Sequence, residues 1–334
     1  RGRRRERGES MRAWQVQGTG EPTEVLHLVE IEPPDPGPGQ LRIRVTAAGL
    51  GLPDVLMCRG TYPLTPPLPF TPGQEVAGVV TAVGEGVDRA VGDEVMGVTA
   101  FYLGHGSFAE ECLVQDATVY PVPVGLTDAE AAGFWIPHIT AWTGLVERAR
   151  IMEGESLVVL GAAGGSGIAA VQLGTALGAR VIAVVSDEAK AAFCLGLGAS
   201  DALVHGDEPL APRIREVLGG GADVIYDPVG GALAEDAITS LGRNGRFLAI
   251  GFASGRWPVI EVHDLVVANT SLLGVIAGGQ TAEELDRIHA ELSSLIADGR
   301  LRNAVTATFG FAELPTALQQ IADRAVIGKL VLVG

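Results

Sequence analysis

Apolar positions in this chain change their rhythm near residue 130. Before it, segments such as Leu41-Arg42-Ile43-Arg44-Val45 alternate apolar and polar side chains, the pattern of half-buried antiparallel strands. Proline and glycine clusters such as Pro33-Pro34-Asp35-Pro36-Gly37-Pro38-Gly39 interrupt them. After it come short, mostly apolar runs without alternation: 157–160, 181–185, 202–204, 223–226, 246–250 and 271–275. These read as strands buried on both faces, and helical stretches over 190–197, 212–218 and 232–241 separate several of them. The pattern predicts an α/β fold, a mainly β domain followed by a doubly wound parallel sheet of six strands. From residue 279 an amphipathic helix over 282–297, a strand near 304–308 and a last strand over 329–333 follow. That tail is expected to return to the first domain, giving 11–130 with 278–334 as one domain and 131–277 as the other.

The charge-free stretch 156–179 is long enough for a membrane span, but six glycines divide it. Leu157-Val158-Val159-Leu160 is a strand, Gly161-Ala162-Ala163-Gly164-Gly165-Ser166-Gly167 a turn, and Ile168 onward a small-residue helix. Strand, glycine turn, helix and second strand within about thirty residues make a βαβ unit.

Composition narrows the function. The 334 residues carry a formal charge of −16, which repels nucleic-acid phosphates and anionic membranes. Neither is therefore expected as a partner. Three scattered cysteines, Cys58, Cys112 and Cys194, exclude a disulfide scaffold and fit a reducing, cytoplasmic compartment. Residues 1–10 hold five arginines and no apolar side chain, so they are no signal peptide and read as a disordered extension before Met11.

The glycine turn carries the clearest chemistry. N–H groups at a helix start point outward, the helix dipole favours an anion, and glycine lets a pyrophosphate approach the backbone. Gly161, Gly164, Gly165, Ser166 and Gly167 are thus the expected pyrophosphate cradle of a dinucleotide. No Gly-Lys-Ser/Thr follows, which argues against a triphosphate loop. At the tip of the second strand an NAD site carries an acid for the ribose 2′-hydroxyl, and here Val185 stands in that place. Ser186 and Lys190 suit a 2′-phosphate instead, with Asp187 as an opposing charge. NADPH is the expected cofactor, with NADH possible.

The chain resembles the zinc-free quinone oxidoreductases of the medium-chain dehydrogenase/reductase superfamily, the group that includes zeta-crystallin. The likeness runs from Met11 to Gly334 on ordered motifs. They include Arg59-Gly60-Thr61-Tyr62-Pro63, Pro72-Gly73-Gln74-Glu75-Val76-Ala77-Gly78, Tyr226-Asp227-Pro228-Val229-Gly230-Gly231 and Gly328-Lys329-Leu330-Val331-Leu332. The resemblance implies a GroES-like catalytic domain and a Rossmann domain. It places the 2′-phosphate at Ser186, Lys190, His205 (a tyrosine in similar proteins) and Arg324. It puts Thr140, Gly251 and Phe252 on the nicotinamide side, and makes 257–262 the strand through which a homodimer pairs.

Metal-dependent relatives carry a histidine where this chain has Gln74, and lone His105 and His138 read as structural, so no metal is expected. Without a Lewis acid, hydride transfer favours acceptors that delocalise charge themselves, a quinone or an activated C=C bond. Tyr62 is the candidate hydroxyl for the acceptor oxygen, or else a packed wall residue. Asp54 holds a family position near the reaction or fixes a loop. Gly51 replaces a common family asparagine, and Cys58 reads as a buried small residue. Three functions remain open: NADPH-dependent quinone reduction, enoyl or alkenal reduction, and non-catalytic NADPH binding.

Overall fold

The computed structural model describes residues 10–302 and 304–334; residues 1–9, within the expected extension, lie outside them. Two compact units divide the chain, one of residues 1–135 with 303–334 and one of 136–302.

In the first unit, β1 (Met11–Val16) and β2 (Leu26–Ile31) form an antiparallel pair. The strands β3 (Gln40–Leu50), β4 (Glu75–Val83), β5 (Glu94–Thr99) and β6 (Glu111–Pro121) follow as antiparallel neighbours. β3 also pairs with β6, which closes these four strands on themselves. Leu41, Ile43, Val76, Val80, Val95, Cys112, Val114 and Val119 fill the interior, so the alternation in the sequence is the inward face of a barrel.

The second unit holds β7 (Ser156–Leu160), β8 (Arg180–Val185), β9 (Asp201–Val204), β10 (Ala222–Asp227), β11 (Leu241–Ala249) and β12 (Ser271–Gly274). They lie in the order β12-β11-β10-β7-β8-β9, all parallel. Strand order reverses between β7 and β10, and in such sheets ligands bind beyond the carboxyl ends at that switch point. Every residue of β7 is buried, which accounts for its uninterrupted apolar run. The charge-free stretch is β7, a turn and the helix Gly165–Ala176. Among the described residues no helix is long and apolar enough to cross a membrane.

The chain then returns to the first unit with β13 (Val305–Gly310) and β14 (Lys329–Val333), and β14 pairs with β3.

Three expectations need correction. The segment 278–302 groups with the second unit. There the Gln280 amide donates to Thr143 Oγ1 (3.0 Å), and the Arg302 N–H to Gln172 Oε1 (2.7 Å). The helix expected over 232–241 ends at Ala237, followed by one 3₁₀ turn, and β11 begins at Leu241. Within the chain, residues 257–261 form no strand, and Val262 opens a helix to Ala268. The Val259 N–H, which a ladder would use, donates instead to Glu235 Oε1 (2.8 Å), and Pro258 has no N–H to offer. Trp257, Val259 and Val262 remain at least half exposed.

Candidate active site

The glycine turn sits at the carboxyl end of β7. Gly161 has φ 59°, a conformation costly for any residue with a Cβ, and an added Cβ would stand 2.8 Å from Val229 Cγ2. At Gly167 a Cβ would meet the Gly161 carbonyl oxygen at 2.4 Å, so the helix packs this close to the strand end only with glycine there. Gly164 caps the helix, and the Ala162 N–H ties the turn to β8 through the Val184 carbonyl (3.1 Å). Gly165, Ser166 and Gly167 occupy the first turn, where N–H groups have no intrahelical acceptor. This backbone fits a pyrophosphate. The Ser166 hydroxyl is committed to the buried Tyr226 hydroxyl (2.7 Å), which pins the turn to β10.

The next strand ends carry the remaining expected residues of this unit. Asp227 Oδ1 accepts from the Val229 and Gly230 N–H groups (2.8 Å each), and burial lifts its carboxyl to about 6. The Gly251 N–H donates to the Asp227 carbonyl (3.2 Å), and the Phe252 ring lies 4.9 Å from that of Trp257. Thr140 is on the helix Trp135–Trp142, with its hydroxyl donating to the Ile136 carbonyl (2.7 Å).

Ser186, Lys190 and His205 come together beyond β8 and β9. The Lys190 ammonium donates to Ser186 Oγ (2.8 Å) and lies 3.3 Å from Asp187 Oδ2. Asp187 caps the helix Glu188–Gly196, its Oδ1 accepting the Lys190 N–H (2.9 Å), and that bond leads the lowering of its carboxyl. The opposing charge noted in the sequence is therefore a helix cap. The His205 N–H donates to the Val185 carbonyl (2.9 Å). Burial pushes the imidazole below its usual range, helped by the Lys190 and Arg213 charges. Sequence reading missed Arg213, whose guanidinium donates to the Val204 carbonyl (2.8 Å). Its signal was a basic residue one turn into the helix after β9. Arg324 belongs to the other unit, at φ 58° beyond the helix Leu314–Ala322.

In the first unit, Gly51 precedes the helix Leu52–Cys58, and its N–H donates to Asp54 Oδ2 (2.9 Å). An added Cβ at Gly51 would meet Pro53 Cδ at 3.3 Å. Asp54 is buried, and burial raises its carboxyl to about 7, with the Lys329 charge opposing. Behind it, Lys329 pairs with Glu75 in full burial. Neither residue was singled out as functional, because β4 and β14 bring together positions 254 residues apart. Gln74 is buried, and its amide nitrogen lies 3.8 Å from Met57 Sδ. Burial raises the Tyr62 phenol, a hydrogen bond with Gln74 lowers it, and the Asp54 charge raises it again. Phe101 packs beside Tyr62 with ring centroids 6.3 Å apart. Burial pushes the Cys58 thiol up to about 12, so it is no nucleophile at neutral pH. Among the described residues no three His, Cys, Asp or Glu side chains gather to hold a metal ion.

Residues 37–124 match the family model of the alcohol dehydrogenase GroES-like domain, and residues 165–294 that of the zinc-binding dehydrogenases. The human protein named quinone oxidoreductase is 30% identical over 328 residues, covering 96% of this chain and 97% of its own length. A probable oxidoreductase from Mycobacterium abscessus is 37% identical with a TM-score of 0.87, over 98% of this chain and 99% of its own. A mycobacterial protein solved in complex with NADPH is 32% identical with a TM-score of 0.88, over 97% and 100%.

Proposed function

Because this chain belongs to the medium-chain dehydrogenase/reductase superfamily, we propose that it is a zinc-independent NADPH:quinone oxidoreductase. The observation that carries this reading is the glycine turn at the switch point with Ser186 and Lys190 at the neighbouring strand end. NADPH, when bound, supplies the hydride. The N–H groups of residues 164–167 hold its pyrophosphate. Ser186, Lys190 and His205 hold the 2′-phosphate, with Lys190 exchanging Asp187 for the stronger anion. Thr140, Gly251 and Phe252 orient the nicotinamide.

Tyr62 donates a proton to the acceptor oxygen. Gln74 supports the zinc-independent reading, because a buried amide beside Met57 occupies the place of the relatives' histidine. A quinone is the acceptor this arrangement serves best, since it spreads incoming charge without a Lewis acid. The exposed face at Trp257, Val259 and Val262 pairs two copies. The three buried free thiols suit the cytoplasm.

Oxidation of NADPH and NADH against phenanthrenequinone, benzoquinone, an alkenal and crotonyl-CoA, with and without a chelator, tests the reading. Quinone-dependent oxidation that prefers NADPH and is unchanged by chelator is the expected result. Activity confined to the alkenal or thioester makes the protein a C=C reductase. Silence across the panel with NADPH still bound points to a non-catalytic role.

A further inference from the structure

The corner around Asp54 carries a charge imbalance. Asp54, Glu75 and Lys329 are 2%, 4% and 6% exposed, and they reach the corner from the helix Leu52–Cys58, β4 and β14. Lys329 is bonded to Glu75, so this cation balances that carboxylate. Asp54 feels the Lys329 charge only from a distance and against that of Glu75, while Oδ2 accepts from Gly51 (2.9 Å) and the Gly73 amide lies close by. Its other oxygen, Oδ1, is buried with no partner in hydrogen-bond geometry. Were all three ionised, two buried carboxylates would share one cation. A group placed so takes up a proton, because burying an uncompensated charge is far more expensive.

The other charged groups around this helix do not change that balance. Glu21 and Arg59 are paired with each other (2.8 Å), and Asp323 acts on Arg59. Cys58, on the same helix, stays a neutral thiol. Tyr62 packs against the same buried cluster as Val55, Met57 and Cys58 of this helix, and its phenol feels the Asp54 charge.

We infer that Asp54 takes up and releases a proton within its buried corner and thereby governs, through Tyr62, how readily the acceptor is protonated. This rests on the reading of Tyr62 as proton donor. As the hydride's electron pair reduces the quinone, the Tyr62 O–H bond breaks and an O–H bond forms on the quinone oxygen. The phenolate then regains a proton from water. Neutral Asp54 leaves that release unopposed; ionised Asp54 sets a negative charge beside the developing phenolate and holds the proton back. Asp54 is thus a positioning residue. Its carboxyl, lifted by burial to about 7, changes charge across the neutral range.

Two measurements test this. Infrared spectra of the protein alone, with aspartate carboxyls isotopically labelled, are expected to show a protonated-carboxyl band that fades between pH 6 and pH 8. The band must be missing from Asp54→Asn. No band assignable to Asp54 overturns the inference, whatever the activity. Single-turnover NADPH oxidation by a quinone is expected to slow on the order of threefold over that pH range in the wild type. Asp54→Asn should flatten the step, whereas Tyr62→Phe should be slow at every pH. A step of unchanged size in Asp54→Asn overturns the inference. If that variant does not fold, Asp54→Ser takes its place, its hydroxyl still able to accept from Gly51. A titrating Asp54 in a protein that reduces no acceptor sinks the hydride-transfer reading alone and leaves the proton uptake at Asp54 standing.

Discussion

The glycine turn and the Asp54 corner are built in opposite ways. In the turn, five candidate positions lie within seven consecutive residues, and what they offer is backbone. In the corner, residues 54, 62, 74, 75 and 329 come from a helix, the loops around it and two strands, and act on one another only because the fold gathers them. The first is tuned by the space that glycine leaves, the second by which carboxylate keeps its proton. Substitutions should therefore act on binding and packing at the turn, and on pH dependence at the corner.

The largest effect is expected at Gly167. Gly167→Ala puts a methyl group 2.4 Å from the Gly161 carbonyl oxygen, a contact relieved only by moving the helix off the strand end. Overpacking of this kind costs about 1–3 kcal/mol. Thermal unfolding should drop by several degrees, and both NADPH and NADH should bind at least about tenfold more weakly. An unchanged Tm with unchanged affinity would remove the turn from the binding site.

A selective effect, on one cofactor and without loss of stability, is expected at the cationic end of the same unit. Lys190→Ala should weaken NADPH by roughly 1–3 kcal/mol, the range for a charge-assisted hydrogen bond, and leave NADH little changed. Asp187→Asn should do the reverse, tightening NADPH by about two- to fivefold. The asparagine can still cap the helix, while Lys190 loses its competing carboxylate at 3.3 Å. Fluorescence titration separates the cases, and equal losses for both cofactors in Lys190→Ala would refute the 2′-phosphate role.

The same contrast explains how much the sequence disclosed. Buried parallel strands show as unbroken apolar runs, so β7 to β10 and β12 were legible to within one or two residues. β11 was read five residues short, because Gly242, Asn244 and Gly245 at its start look like a turn. The turn glycines were legible because their spacing is local. Tyr62 and Asp54 stood out only by resemblance, and Glu75 with Lys329 not as a pair at all. Nothing local in a strand residue announces a partner 254 positions away. Asp187 was half legible for a related reason: its charge was visible, its cap geometry was not.

The smallest effect compares one buried carboxyl in each unit. Burial raises Asp54 to about 7 and Asp227 to about 6, both above the ordinary carboxylate range. Between the unfolded and folded values the native state binds the extra proton, so stability falls as pH rises through that window. Each contribution is full below about pH 4 and is lost by about 6 for Asp227 and about 7 for Asp54. Glu155 and Glu235, lowered chiefly by hydrogen bonds to Arg246 and Arg256, act with the opposite sign at more acidic pH. His105 and His205, lowered first by burial, oppose the trend as they lose protons near neutrality. The net slope mixes these groups, so the informative quantity is a difference between proteins. Asp54→Asn keeps an acceptor for Gly51 and removes the titration. Its Tm should match the wild type near pH 4 and exceed it by a few degrees near pH 8. Asp227→Asn should show the same divergence, completed about one pH unit lower. A constant offset in Asp54→Asn across that range would mean that Asp54 ionises as an exposed carboxyl does, and the contrast between the two units would lose its electrostatic half.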